Sequence, residues 1–134
     1  MSKKTLVLLE KVSFPEFHDD IEVVAKIDTG ARTGALHCVF VRVTEQNGQE
    51  IIEYQPFNTD HPKIKTKDFY DKVVISSNGS KEKRYFINTK VLLRGEEYPI
   101  TLSLADRSNL KFEVLIGVKF LKDKFIVDVA ESNV

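Results

Sequence analysis

A chain of 134 residues, of which 42% are hydrophobic, has enough apolar material for one domain to bury a core, and is not the composition of a disordered polypeptide. Lysine plus arginine and aspartate plus glutamate each total 20, so the formal charge is zero and binding to nucleic acid through phosphate neutralisation is not expected. The single cysteine, Cys38, excludes a disulfide framework and fits a reducing compartment.

In chain order, residues 5–12 read as a first strand, followed by a break at Pro15. The apolar run 6–9 within it is too short for a signal segment or a membrane span. No later segment approaches the ~18 apolar residues a span needs, so a cytoplasmic protein without a membrane partner is expected. Residues 21–27 alternate, with Ile21, Val23, Ala25 and Ile27 on one side, and stop at the turn Asp28-Thr29-Gly30. Residues 36–43 and 51–57 are predicted to pair across Asn47-Gly48, a favoured hairpin turn. The polar stretch 58–71, with Pro62, is predicted as loop. Two strands at 72–75 and 84–93 are joined by the small residues 76–80, and 98–104 pairs back across 94–97. A short strand at 112–116 ends at Gly117, a short helix is expected over 118–124, and a last strand over 125–129. Many short strands, tight turns and at most one helix predict a single all-β domain over 1–134, barrel or sandwich.

The chemistry is concentrated in Asp28-Thr29-Gly30-Ala31, directly after a buried-looking strand. A carboxylate held at a turn can point into a cleft, a small hydroxyl can fix the loop, and a glycine allows close backbone approach. Two such carboxylates brought together cannot both ionise cheaply, so they share a proton; one then serves as base on a water while the protonated one polarises a carbonyl. The same tripeptide is also an ordinary turn. A second element, Leu115-Ile116-Gly117, is two hydrophobic residues followed by glycine.

Together these motifs resemble the retroviral-type aspartic proteases, whose catalytic Asp-Thr-Gly-Ala is followed, after more strands and a flap-like hairpin, by the hydrophobic-hydrophobic-glycine pattern. The block 25–37 (AKIDTGARTGALH) resembles the signature of a bacterial and archaeal retropepsin-like family, often labelled an ATP-dependent zinc protease and associated with glutamate ligases that modify ribosomal proteins. Asp106-Arg107-Ser108-Asn109-Leu110, Leu115-Ile116-Gly117, Phe120-Leu121 and residues 125–128 resemble its C-terminal part, and residues 12–16 its N-terminal strand. Gly34 stands where that family more often has serine, and Val118 where it usually has an arginine that in retroviral enzymes helps tie subunits together.

The resemblance implies a closed retropepsin-like β-barrel with one short C-terminal helix. It also implies a homodimer, because one subunit supplies one carboxylate, and hydrolysis of peptide bonds by an Asp28/Asp28′ dyad. Asp28, Thr29 and Gly30 are the expected catalytic set. Ala31 and Arg32 are expected to meet a peptide or protein tail, with Arg32 facing a substrate carboxylate or a surface ion pair. The 76–80 turn is either a flap, with Ser77, Asn78 and Gly79 over the substrate, or a plain exposed hairpin. His37 is a supporting donor or a core histidine; Arg107 braces the loop, crosses the dimer or lies on the surface; Ile116 and Gly117 support the loop. A glutamate ligase is the implied partner.

No cofactor is expected and no metal site, despite the zinc label: there is no His-Glu-x-x-His, and His18, Asp19 and Asp20 as strand neighbours diverge. His37 and Cys38, also neighbours, cannot form a thiol-protease pair, and Cys38 is expected to be a small core residue. The alternating lysines 63, 65, 67, 81 and 83 read as solvated strand edges. The rival to catalysis is a peptide- or partner-binding module on the same fold; a zinc-dependent hydrolase is a third reading.

Overall fold

In a computed structural model of the chain, residues 3–18, 21–75 and 78–130 are described. The strands are β1 (Lys4–Val7), β2 (Leu9–Ser13), β3 (Val23–Ile27), β4 (Gly34–Gln46), β5 (Gln49–Pro56), β6 (Ile64–Thr66), β7 (Phe69–Ile75), β8 (Lys81–Leu93), β9 (Glu96–Ala105), β10 (Val114–Ile116) and β11 (Phe125–Asp128). One four-residue helix, α1 (Val118–Leu121), precedes β11, and a 3-10 turn covers Pro15–Phe17. No helix among the described residues is long and apolar enough to cross a membrane.

The main sheet runs β10-β3-β2-β8-β9-β4-β5-β6, and β10 also pairs with β4. Hydrogen bonding therefore closes through β10, β3, β2, β8, β9 and β4 into a ring. This is the all-β, closed architecture expected, with α1 as its single short helix. Inside the ring, Ile27, Leu36, Ile87, Val91, Leu102 and Ile116 are at most 1% exposed. Burying each such side chain contributes about 1.5–3 kcal/mol. Two aromatic groups flank this core. Phe14 stacks on Phe17 at 4.6 Å, with Tyr54 edge-on to Phe17. Phe120 stacks on Phe125 at 5.5 Å with Tyr98 edge-on to both, which fastens α1 and β11 onto β9.

Two turns follow from their sequences. Asn47-Gly48 and Arg94-Gly95 both take positive φ at each residue, the geometry of a two-residue hairpin turn. The second is tighter than the connection expected over 94–97, because β9 starts already at Glu96. The stretch expected as loop over 58–71 contains β6, which adds to β5, and the start of β7. Its apolar residues there, Ile64 and Phe69, are too isolated in sequence to announce strands; pairing with long neighbours selects them.

The first predicted strand is two strands in two sheets. β1 pairs in parallel with β11, whereas β2 joins β3 and β8. The cause is Glu10. It is 1% exposed and accepts the Val7 amide at 2.8 Å and both Nε and Nη2 of Arg94 at 2.9 and 2.7 Å. A buried carboxylate satisfied in this way folds the chain around itself at Leu8.

Candidate active site

The chain after β3 enters a loop that is clamped by main-chain hydrogen bonds. The Asp28 amide donates to the Ile116 carbonyl at 2.8 Å, continuing the parallel β3–β10 pairing by one residue. The Ala31 amide donates to the Asp28 carbonyl at 3.2 Å. On the far side, the Val118 and Lys119 amides donate to the carbonyls of Ala31 and Arg32 at 2.8 and 2.9 Å. The start of α1 thus caps the loop with otherwise unpaired N–H groups. β10 lies between β3 and β4, so the loop leaves one neighbour of β10 and returns as the other.

Glycine is required at two contacts. A Cβ on Gly117 would stand 2.8 Å from the Ala31 carbonyl oxygen and 2.9 Å from the Thr33 carbonyl carbon. A Cβ on Gly34 would stand 2.4 Å from the Leu115 carbonyl oxygen. Both are backbone collisions that no rotamer change relieves. The Leu-Ile-Gly motif therefore has a physical reading. Ile116 supplies the carbonyl that holds Asp28 and is itself fully buried, and Gly117 lets the loop backbone cross. Gly34 was missed as a site residue; the only signal was a second glycine six residues after Asp28.

The Asp28 side chain is partly exposed, and its Oδ1 accepts the Gly30 amide at 2.9 Å. This bond fixes the carboxylate plane and leaves Oδ2 without a hydrogen bond among the described residues. Thr29 and Gly30 are exposed at the tip, and the Thr29 hydroxyl makes no hydrogen bond among the described residues, so it does not fix the loop within the subunit. Ala31 is half-buried, with its carbonyl turned to α1, and Arg32 is exposed without an ion pair among the described residues.

Arg107 belongs to the same neighbourhood. Its Nε donates to the Phe112 carbonyl at 2.9 Å, and its amide donates to the Nδ1 of His37 at 2.8 Å. Burial pushes the Arg107 guanidinium's pKa down, and the negative charge of Asp28 works against that. His37 is 6% exposed. With Nδ1 accepting, its neutral ring carries the proton on Nε2. His37 is thus at once a core histidine and the acceptor that holds the Arg107 loop, while Cys38 beside it is buried and its thiol is pushed up by that burial.

A groove of about 480 Å³ lies between β4, the β7–β8 hairpin and the start of the loop that carries Arg107. Val39, Val41, Tyr85 and Leu104 give it apolar walls. The hairpin above it is exposed, Val73 and Ile75 at 61% and 70%. Of the flap residues expected, Ser77 lies outside the described residues. Asn78 and Gly79 sit at the exposed turn, Gly79 at φ +85°, with the Asn78 side chain accepting the Ser80 amide at 3.0 Å. The described residues contain no group of three or more His, Cys, Asp or Glu able to hold a metal ion; Asp19 and Asp20 lie outside them.

A closed β-ring whose carboxylate turn packs against a hydrophobic-hydrophobic-glycine strand defines a retropepsin-like fold. Residues 8–134 match the family model RimB-like, described as retropepsin-like aspartic endopeptidase RimB, and the chain belongs to that family. It is 29% identical over 135 residues to a "Probable alpha-L-glutamate ligase" of Desulfotalea psychrophila, covering 97% of this chain. It is 30% identical over 115 residues to one of the same name from Shewanella pealeana, covering 82% of this chain. The chain spans only 29% and 25% of the length of those two relatives. Among solved structures it is similar to protein Lpg0085 of Legionella pneumophila, described as of unknown function, with a TM-score of 0.76 at 20% identity over 98% of this chain and 97% of that one. That likeness concerns the fold.

Proposed function

We propose that the chain is one half of an aspartic endopeptidase, completed when a second copy brings its own Asp28 against the first. The observation that carries this reading is the state of the Asp28 carboxylate. It is partly exposed, one oxygen is fixed by Gly30, the other makes no hydrogen bond among the described residues, and the loop beneath it is clamped by backbone bonds. The two-fold axis of such a dimer runs between the loop tips, where the exposed Thr29 hydroxyls face the partner copy.

Two carboxylates brought together in this way share one proton. The ionised one takes a proton from a water, which attacks the scissile carbonyl; the protonated one donates to the carbonyl oxygen and so stabilises the developing charge. In this reading the peptide runs extended from the Asp28 tip into the groove beside β4 and β8, and the exposed Asn78-Gly79 turn serves as the flap. Arg32, an exposed cation next to the loop, meets a carboxylate of the substrate, such as that of a glutamate-bearing protein tail. The similarity to a quarter or so of proteins named as glutamate ligases supports a functional link to a ligase of that kind.

The test is a peptide-library cleavage assay across pH on wild type and Asp28→Asn. Wild type cleaves with a bell-shaped pH profile, and the variant, folded as judged by its spectrum, loses at least about a thousandfold of the rate. Cleavage retained by the variant contradicts the assignment.

A binding module is the second reading, and Val118 favours it: where an arginine is usual in the family, this chain places an exposed valine at the head of α1. Under that reading the peptide binds in the same groove and leaves uncut, and wild type and Asp28→Asn bind it equally.

A further inference from the structure

A second cleft adjoins the clamp, and Asp28 is not among its lining residues. It has a volume of about 310 Å³ and is built from Thr33 and Gly34 at the head of β4, the facing β8 and β9 strands, and α1 with the turn after it. Its charged lining residues are Lys119 and Lys124, and no carboxylate lines it. Four other clefts on the described surface each carry at least one aspartate or glutamate. In a chain of zero formal charge, a cleft with cations alone is a local excess of positive potential.

The polar groups in the wall divide into two sets. Thr101 donates its hydroxyl to Asn88 Oδ1 at 2.6 Å, Asn88 donates its amide to Asp68 at 2.8 Å, and Thr89 donates to Glu16 at 2.9 Å. These are occupied, and they hold the carboxylates of Asp68 and Glu16 in hydrogen bonds. The Lys119 ammonium and the Thr33 hydroxyl have no partner among the described residues. The Lys124 ammonium stands 4.7 Å from the centre of the Phe120 ring, so its charge sits over the apolar part of the wall, which Pro99 and Ile100 continue.

The geometry points to a binding site for a compact organic anion, a carboxylate or phosphate group on a flat apolar body. The anionic group is held by Lys119 and Lys124 with the Thr33 hydroxyl, and the body lies against Phe120, Pro99 and Ile100. Charge-assisted bonds supply orientation and the apolar wall supplies area, the usual division in a small-molecule cleft. The site adjoins the Asp28 loop. Lys119 is the residue whose amide holds the Arg32 carbonyl, and Thr33 is the next residue of the same loop. A ligand gripping both side chains therefore bears directly on the strap that fixes the Asp28 turn.

The test is titration of the isotope-labelled full chain with benzoate, phenyl phosphate and inorganic phosphate, followed by amide chemical shifts at constant ionic strength. Saturable shifts at residues 33–34, 99–101 and 119–124 with benzoate or phenyl phosphate are expected, and which of the two binds more tightly identifies the anionic group. The double variant Lys119→Gln, Lys124→Gln should bind either about tenfold more weakly or worse, with its spectrum otherwise that of the folded wild type. Absence of saturable shifts at these residues, or equal binding by the double variant, overturns the site. Inorganic phosphate binding as tightly as phenyl phosphate overturns the assignment of an apolar body. None of these outcomes depends on whether Asp28 is catalytic.

Discussion

Glu10 and Asp28 are two carboxylates placed at strand ends of the same ring, and their surroundings are opposite. Glu10 is 1% exposed and saturated, with one amide and a two-pronged arginine on its oxygens. Asp28 is partly exposed, holds a single amide on Oδ1, and has a cation nearby that is bonded elsewhere. A carboxylate whose acceptor sites are all taken builds structure, and one that keeps an oxygen free on a rigid support is available for chemistry. The rigidity at Asp28 comes from backbone and glycine contacts, so its side chain need not be used to hold the loop.

The contrast can be broken first at Glu10. Arg94→Ala removes both guanidinium bonds from that buried carboxylate, and should cost about 3 kcal/mol of folding stability in a denaturant titration. A loss below about 1 kcal/mol would mean Glu10 is not the structural anchor described. Next, Gly34→Ala drives a Cβ against the Leu115 carbonyl and should destabilise by about 1–3 kcal/mol, with a larger loss of cleavage than of stability because the displaced strand carries the Ile116 carbonyl under Asp28. The smallest effect concerns Arg107, whose Nε holds the Phe112 carbonyl beside the site. Arg107→Gln removes that bond and should destabilise the fold by about 1 kcal/mol in a denaturant titration. An unchanged midpoint would mean that this bond does not brace the loop.

The sequence carried the Asp28 turn because each of its parts is a short local pattern: an alternating strand running into Asp-Thr-Gly, and separately the hydrophobic pair and glycine at 115–117. The Asn47-Gly48 hairpin and the short helix were legible for the same reason. β6 was not, since Ile64 becomes a strand residue only by pairing with β5. The split of the first strand was hidden because Glu10 looks like a surface residue until Arg94, far along the chain, is brought against it. Gly34 carried no local sign of the carbonyl it must avoid. His37 was expected as a supporting donor or a core histidine; the fold buries it, and its Nδ1 accepts from the Arg107 amide.

The most direct test of the central claim is a mixing experiment. Wild type and Asp28→Asn are combined in varying ratio at constant total concentration, allowed to exchange subunits, and assayed for cleavage of one peptide. If each active site takes one Asp28 from each of two chains, the rate falls as the square of the wild-type fraction, so an equal mixture retains about a quarter of the rate. A linear fall, with about half the rate retained, would mean that a single chain carries a complete site, and the shared carboxylate pair would be refuted.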